Sequence, residues 1–158
     1  MQPMGIPPFT DREVDEYLER ARQSGRKRAP KILHEPGAEM NRVVNVLLRG
    51  TYMQPHCHTQ PDAVERIHVM RGELVIVFFD EHGHIDRTVA LAADQAIDVP
   101  VGAWHTYLVT SEFAVTYETM TGVYDPLTWK AFGRWAPSEN APGAPAYLRG
   151  LADVVGRA

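Results

Sequence analysis

The residues best suited to chemistry in this chain are His56, His58 and Glu65, with His105 as a fourth candidate further on. His56 and His58 flank Cys57 after a run of β-forming residues, and residues two apart in an extended strand point to the same face. Both imidazoles therefore look one way and Cys57 looks the other. Glu65 heads a second alternation in which Glu65, Ile67 and Val69 share a face. If that face is inward, two imidazoles and a carboxylate meet inside a β-structure. A bare carboxylate is costly to bury there, and a bound cation is the usual remedy. His105 follows the turn Pro100-Val101-Gly102 and opens another strand-like run, PVGAWHTY.

The elements that must position these residues read as mostly β. Thr10-Asp11-Arg12-Glu13 has capping-box spacing, and Val14, Tyr17, Leu18 and Ala21 recur at helical intervals, predicting an amphipathic helix over 11–24 that Gly25 ends. The pattern then turns strand-like over 31–33, 42–48, 51–54, 63–70, 73–79, 85–91, 96–99, 104–109 and 113–120. Short strands at this spacing predict an antiparallel sandwich or barrel. Met70-Arg71-Gly72-Glu73 and Asp80-Glu81-His82-Gly83 read as tight hairpins with glycine at a positive φ. Past Gly122, Tyr124, Trp129, Phe132 and Trp135 suit a segment lying across the barrel, SENAPGAPA reads as a linker, and residues 147–155 read as a short helix that needs a docking surface.

Bulk properties narrow the function classes. With 158 residues, 44% hydrophobic and 23% charged, the chain reads as one domain. Its expected parts are an N-terminal helix and basic linker (1–30), a barrel (31–122) and a C-terminal covering segment (123–158). A net charge of -4 gives no global attraction to nucleic acid or anionic membrane. Cys57 is the single cysteine, so a reducing, cytoplasmic setting is expected, and no leader or spanning stretch is read. The expected partners are a small-molecule ligand and a second copy of the chain in a homodimer. Arg26-Lys27-Arg28 reads as a solvated charge run, with an anion clamp at a pocket mouth as the sharper reading.

Taken together, Gly50, His56, His58, Glu65 and Gly72, then Pro100, Gly102 and His105, closely resemble the paired motifs of the cupin superfamily. The resemblance implies an all-β fold, a small antiparallel, jelly-roll-like β-barrel with an N-terminal helix and a C-terminal extension. It also implies a metal held by three histidines and one glutamate. Imidazole nitrogens with one carboxylate suit a divalent transition metal (Fe, Mn, Ni, Co, Cu or Zn) and leave positions open. This chain departs from the pattern in having six residues, Thr59 to Val64, between His58 and Glu65, more than is usual, and in having Asp94 and Val109 where a glycine and an asparagine are customary. If one ligand fails, Glu65 is the expected one, since a one-residue slip would turn it outward. The stretches SGRKRAPKILHEP, MNRVVNVLLRGTYMQPHCH, RGELVIVFFDEHG, VPVGAWHT, ETMTGVYDP and RWAP further resemble the WbuC-type cupin-fold metalloproteins, a group associated with surface-polysaccharide gene clusters.

Tyr107 shares a strand face with His105 and is the candidate catalytic residue, with a barrel-core tyrosine as the alternative. His34 and Glu118 are further pocket candidates outside the metal set, and Trp104 reads as packing. Two function classes stay open. One is a metal-dependent enzyme, an isomerase or epimerase, a lyase or an oxygenase, acting on a sugar-like molecule or organic acid. The other is a non-catalytic module that binds or senses such a molecule through its metal.

Overall fold

The computed structural model describes residues 5–156; the first four residues of the expected N-terminal segment and the last two of the C-terminal one lie outside it. Helix α1 (Asp11–Gln23) starts where the capping box places it: the Thr10 N–H donates to Glu13 Oε2 at 2.8 Å and the Glu13 N–H donates to Thr10 Oγ1 at 3.2 Å. Its buried face, Val14, Leu18 and Ala21, is the predicted one.

Ten strands follow among the described residues: β1 (Arg28–Ile32), β2 (Met40–Leu48), β3 (His56–Cys57), β4 (Glu65–Arg71), β5 (Glu73–Phe79), β6 (Ile85–Ala92), β7 (Ala96–Val99), β8 (Trp104–Val109), β9 (Phe113–Thr121) and β10 (Ala131–Phe132). Helix α2 (Ala144–Gly156) closes the order. The strands form two five-stranded antiparallel sheets, β1-β2-β9-β4-β7 and β10-β3-β8-β5-β6, as the predicted sandwich or barrel requires. Alternation decides what each sheet buries between them. Leu47, Ile67, Val69, Leu74, Ile76, Val99, Tyr107 and Val109 fill the interior, so the Glu65-Ile67-Val69 face is indeed the inward one.

Each outer face is covered by a helix. Val14 and Leu18 of α1 pack on Val44, Val46, Val115 and Tyr117 of the first sheet. Tyr147, Leu148, Leu151 and Val155 of α2 pack on Val75, Val77, Phe79 and Leu108 of the second. Helix α2 therefore finds its docking surface within its own chain, and burying a side chain such as Leu151 contributes roughly 2 kcal/mol.

Three local readings are corrected. Residues 51–54 form no strand, because Thr51 and Met53 serve the interior by side-chain and carbonyl contacts to Arg28 and Thr106 instead of a ladder. Met70–Glu73 is not a hairpin: β4 and β5 belong to different sheets, and Gly72 (φ 77°) turns the chain from one to the other where a Cβ would lie 2.2 Å from the Phe113 carbonyl oxygen. Asp80–Gly83 is a true hairpin between β5 and β6, with Gly83 (φ 87°) packed flat against the Trp135 ring. The supposed linker is also tied down, since Glu139 accepts from Arg26 at 3.0 Å and from the buried Arg28.

Candidate metal centre

The site lies at one end of the space between the sheets and draws on both. β3 runs beside β8 with His56 opposite His105, while Glu65 opens β4 on the facing sheet. The six-residue stretch before Glu65, longer than is usual, folds into a turn, with the Ala63 N–H donating to the Gln60 carbonyl at 3.2 Å and Asp62 at φ 62°. That turn absorbs the extra length, and Glu65 keeps its inward register. All four predicted residues come together: one donor atom from each lies within 4.8 Å of the other three, and all four are buried. Cys57 points away, buried and unpaired.

The ring hydrogen bonds set the tautomers. Nδ1 of His56 meets the Gln54 carbonyl at 2.9 Å, Nδ1 of His58 the Trp129 carbonyl at 2.8 Å, and Nδ1 of His105 the Ala103 carbonyl at 2.9 Å. A carbonyl oxygen only accepts, so each Nδ1 carries the hydrogen and each Nε2 presents its lone pair inward. Two of those nitrogens, on His58 and His105, face Glu65 Oε2 at 2.8 and 3.2 Å. Lone pairs so disposed repel unless a proton or a metal cation lies among them. Three imidazoles oriented through Nδ1–H and one carboxylate form a donor set that fits a divalent transition metal.

Electrostatics agree with that arrangement. Burial, reinforced by the neighbouring His105 and Lys130, holds the His56 pKa well below its ordinary value and keeps the ring neutral. Burial alone would push the Glu65 carboxyl up, but its contacts with the His105 and His58 rings, which carry a proton on Nε2 when no metal takes its place, outweigh it and hold it well below the usual carboxylate range. Burial likewise opposes protonation of His105, and the Glu65 carboxylate beside it raises its pKa regardless.

The four residues open onto a cavity of about 510 Å³. Tyr107 lines it as expected from its place beside His105, and its buried hydroxyl has no hydrogen-bond partner among the described residues. Burial, with Glu118 nearby, raises the phenol pKa above its ordinary value, so Tyr107 presents a neutral donor. Glu118 faces inward from β9, bonded to Asn45 and, at 2.9 Å, to Thr116 Oγ1. Burial and the charge of Glu65 push its carboxyl up to about 7. His34 also lines the cavity, but its Nδ1 accepts from the Arg42 N–H at 3.0 Å, which leaves Nε2 as a donor and sets it apart from the three converging rings. Trp104 packs on Trp135 under α2.

Other contributors were not legible. Lys130 lines the cavity from the segment before β10, and Trp129 orients His58 through its carbonyl. Arg26 and Arg28 do reach the cavity wall as partners of Glu139; Arg28 is buried, whereas Arg26 and Lys27 remain exposed as a solvated run would. Neither role has a periodic signal in the sequence, because each depends on contacts more than seventy positions apart.

A family model described as "Domain of unknown function (DUF6016)" matches residues 9–91, more than half of the chain. No curated protein matches. Among solved structures, the chain is similar to an uncharacterized conserved protein with a double-stranded beta-helix domain from Klebsiella pneumoniae subsp. pneumoniae, at TM-score 0.57 and 18% identity over 77% of this chain and 94% of that one. It is also similar to KdgF from Halomonas sp., at TM-score 0.51 and 18% identity over 63% and 83% of the two chains. A recombinant oxalate oxidase in complex with glycolate gives TM-score 0.54 and 16% identity, over 69% of this chain and only 56% of that one. The shared fold is that of cupin domains. Among the described residues no helix is long and apolar enough to cross a membrane.

Proposed function

The chain belongs to the family described as a domain of unknown function, DUF6016, and because that description assigns no activity we propose from the site itself that this is a metal-binding cupin protein. His56, His58, Glu65 and His105 would hold one divalent transition metal and take a small oxygen-rich molecule into the adjoining cavity. The single observation that carries the reading is convergence: three buried rings each set Nδ1 against a backbone carbonyl, and one donor atom from each lies within 4.8 Å of the others and of a Glu65 oxygen. When bound, the metal would supply Lewis acidity toward an oxygen of the ligand.

The chain's own residues then divide the remaining work. Tyr107 offers a neutral O–H, and Glu118, poised near neutrality, holds or accepts a proton at the same cavity wall. A neutral hydroxyl donor and a carboxyl able to hold a proton beside the metal-site residues support the enzymatic reading, an isomerase or epimerase, a lyase or an oxygenase, with the non-catalytic binding or sensing module as the alternative. We extend the reading to a WbuC-type protein handling a sugar-like molecule or organic acid, supported by the stretches that resemble that group. The homodimer is also retained as a proposal. With α2 satisfied internally, it would form through an edge such as β1, where Ile32 is 64% exposed.

Metal analysis of protein prepared without an affinity tag or added metal tests the reading. We expect one transition metal per chain, a melting temperature lowered by chelation, and loss of both in His56→Ala and His105→Ala. Full occupancy in both variants would refute the assignment.

A further inference from the structure

Among the described residues Lys130 makes no direct ion pair, although the charges of Glu65 and Glu118 act on it. Its Nζ contacts Met53 Sδ at 3.6 Å, and among the described residues no carboxylate lies within 4.0 Å of it. The two arginines that line the cavity are committed: Arg28, whose side chain is 4% exposed, and Arg26, 57% exposed, both bond Glu139. A partly buried, unpaired ammonium is costly, and burial pushes the Lys130 amine below its ordinary pKa. It lines the same cavity as the four metal-site residues, Tyr107, Glu118 and Asn45.

We propose that Lys130 receives the carboxylate of a small hydroxy acid bound in this cavity. This rests on the metal reading above and names the ligand class of that site. The hydroxyl end is matched by the buried, partnerless Tyr107 hydroxyl, a donor, and by the Glu118 carboxyl, which accepts or donates. A monoanion suits the balance of charge better than a phosphate, which carries up to about two charges at neutral pH. One lysine is available, and Glu65 and Glu118 stand beside the same space. Lys130 also follows Trp129, whose carbonyl orients His58, so the segment that would hold the acid is the segment that aims a metal ligand.

The test is calorimetric titration of the full chain with glycerate, glyceramide and glycerol 3-phosphate, in zinc-loaded and zinc-free forms. Wild-type protein should bind glycerate at least about tenfold more tightly than glyceramide, because a charge-assisted contact is worth about a tenfold to hundredfold change in affinity. Lys130→Met should abolish that preference while leaving glyceramide binding and zinc stoichiometry unchanged, and Lys130→Arg should keep most of it. Equal affinity of wild type and Lys130→Met for glycerate, or no glycerate binding at all, would overturn the proposal. Tighter binding of glycerol 3-phosphate than of glycerate would overturn the carboxylate assignment. Failure to take up zinc, with the lysine-dependent preference intact in the zinc-free form, would count against the metal reading alone.

Discussion

The same strands build two unlike ends of one interior. Along β4 the inward residues run Glu65, Ile67, Val69, and along β8 they run His105, Tyr107, Val109. Alternation places all six by one rule, yet Ile67 and Val69 complete each other's packing while Glu65 and His105 leave charge and lone pairs that apolar neighbours cannot satisfy. The packed end is held by burial and is finished by the chain itself. The polar end is equally buried but calls for a cation. The lesson is that position came from backbone periodicity, whereas function came from which positions depart from hydrocarbon.

That contrast is broken most forcefully at the packed end. Ile67 is fully buried, and Ile67→Ala should cost about 2–5 kcal/mol in urea unfolding through lost transfer energy and a residual cavity. Metal per folded chain should stay unchanged, and a loss of metal in step with stability would erase the distinction between the two ends.

A smaller effect is expected where the C-terminal segment is tied to the polar end. Burial would push the Glu139 carboxyl up, but Arg26 and Arg28 hold it below its ordinary value. A carboxylate whose pKa is lowered by folding stabilises above its unfolded pKa and loses that contribution as pH falls through the folded one. Glu139→Gln should therefore cost about 1–3 kcal/mol at pH 7, with the gap from wild type narrowing below the ordinary carboxylate range. An equal gap at pH 7 and in acid would contradict the ion-pair account.

The smallest effect belongs to the outward face of the same strand. Arg66, between Glu65 and Ile67, bonds Asp98 of β7 at 2.7 Å, with both side chains at least half exposed. Asp98→Asn should change stability by less than about 1 kcal/mol, as read by thermal melting, and should leave metal content untouched.

Much of this was legible because it is local. The His56-Cys57-His58 alternation held although β3 is only two residues long, and Glu65 kept its face because the turn at Asp62 absorbs the extra length. Glycine at Gly72 and Gly83 announced two turns but could not tell a crossing between sheets from a hairpin, since both need the same positive φ. Lys130, the Trp129 carbonyl and the Glu139 tie were illegible for a different reason. Each gains its role from a partner far along the chain, and a segment whose aromatics read only as cover carries no periodic sign of what it orients.

The central claim, that three histidines are preset to offer Nε2 to one cation, is most directly tested by long-range proton–nitrogen NMR of the imidazole rings in zinc-loaded protein. Of the seven histidines, His56, His58 and His105 should show the Nδ1–H tautomer with Nε2 shifted by zinc. His34, whose Nδ1 accepts from Arg42, should show the opposite tautomer and no zinc shift. Zinc-insensitive Nε2 signals at His56, His58 and His105 would contradict the account.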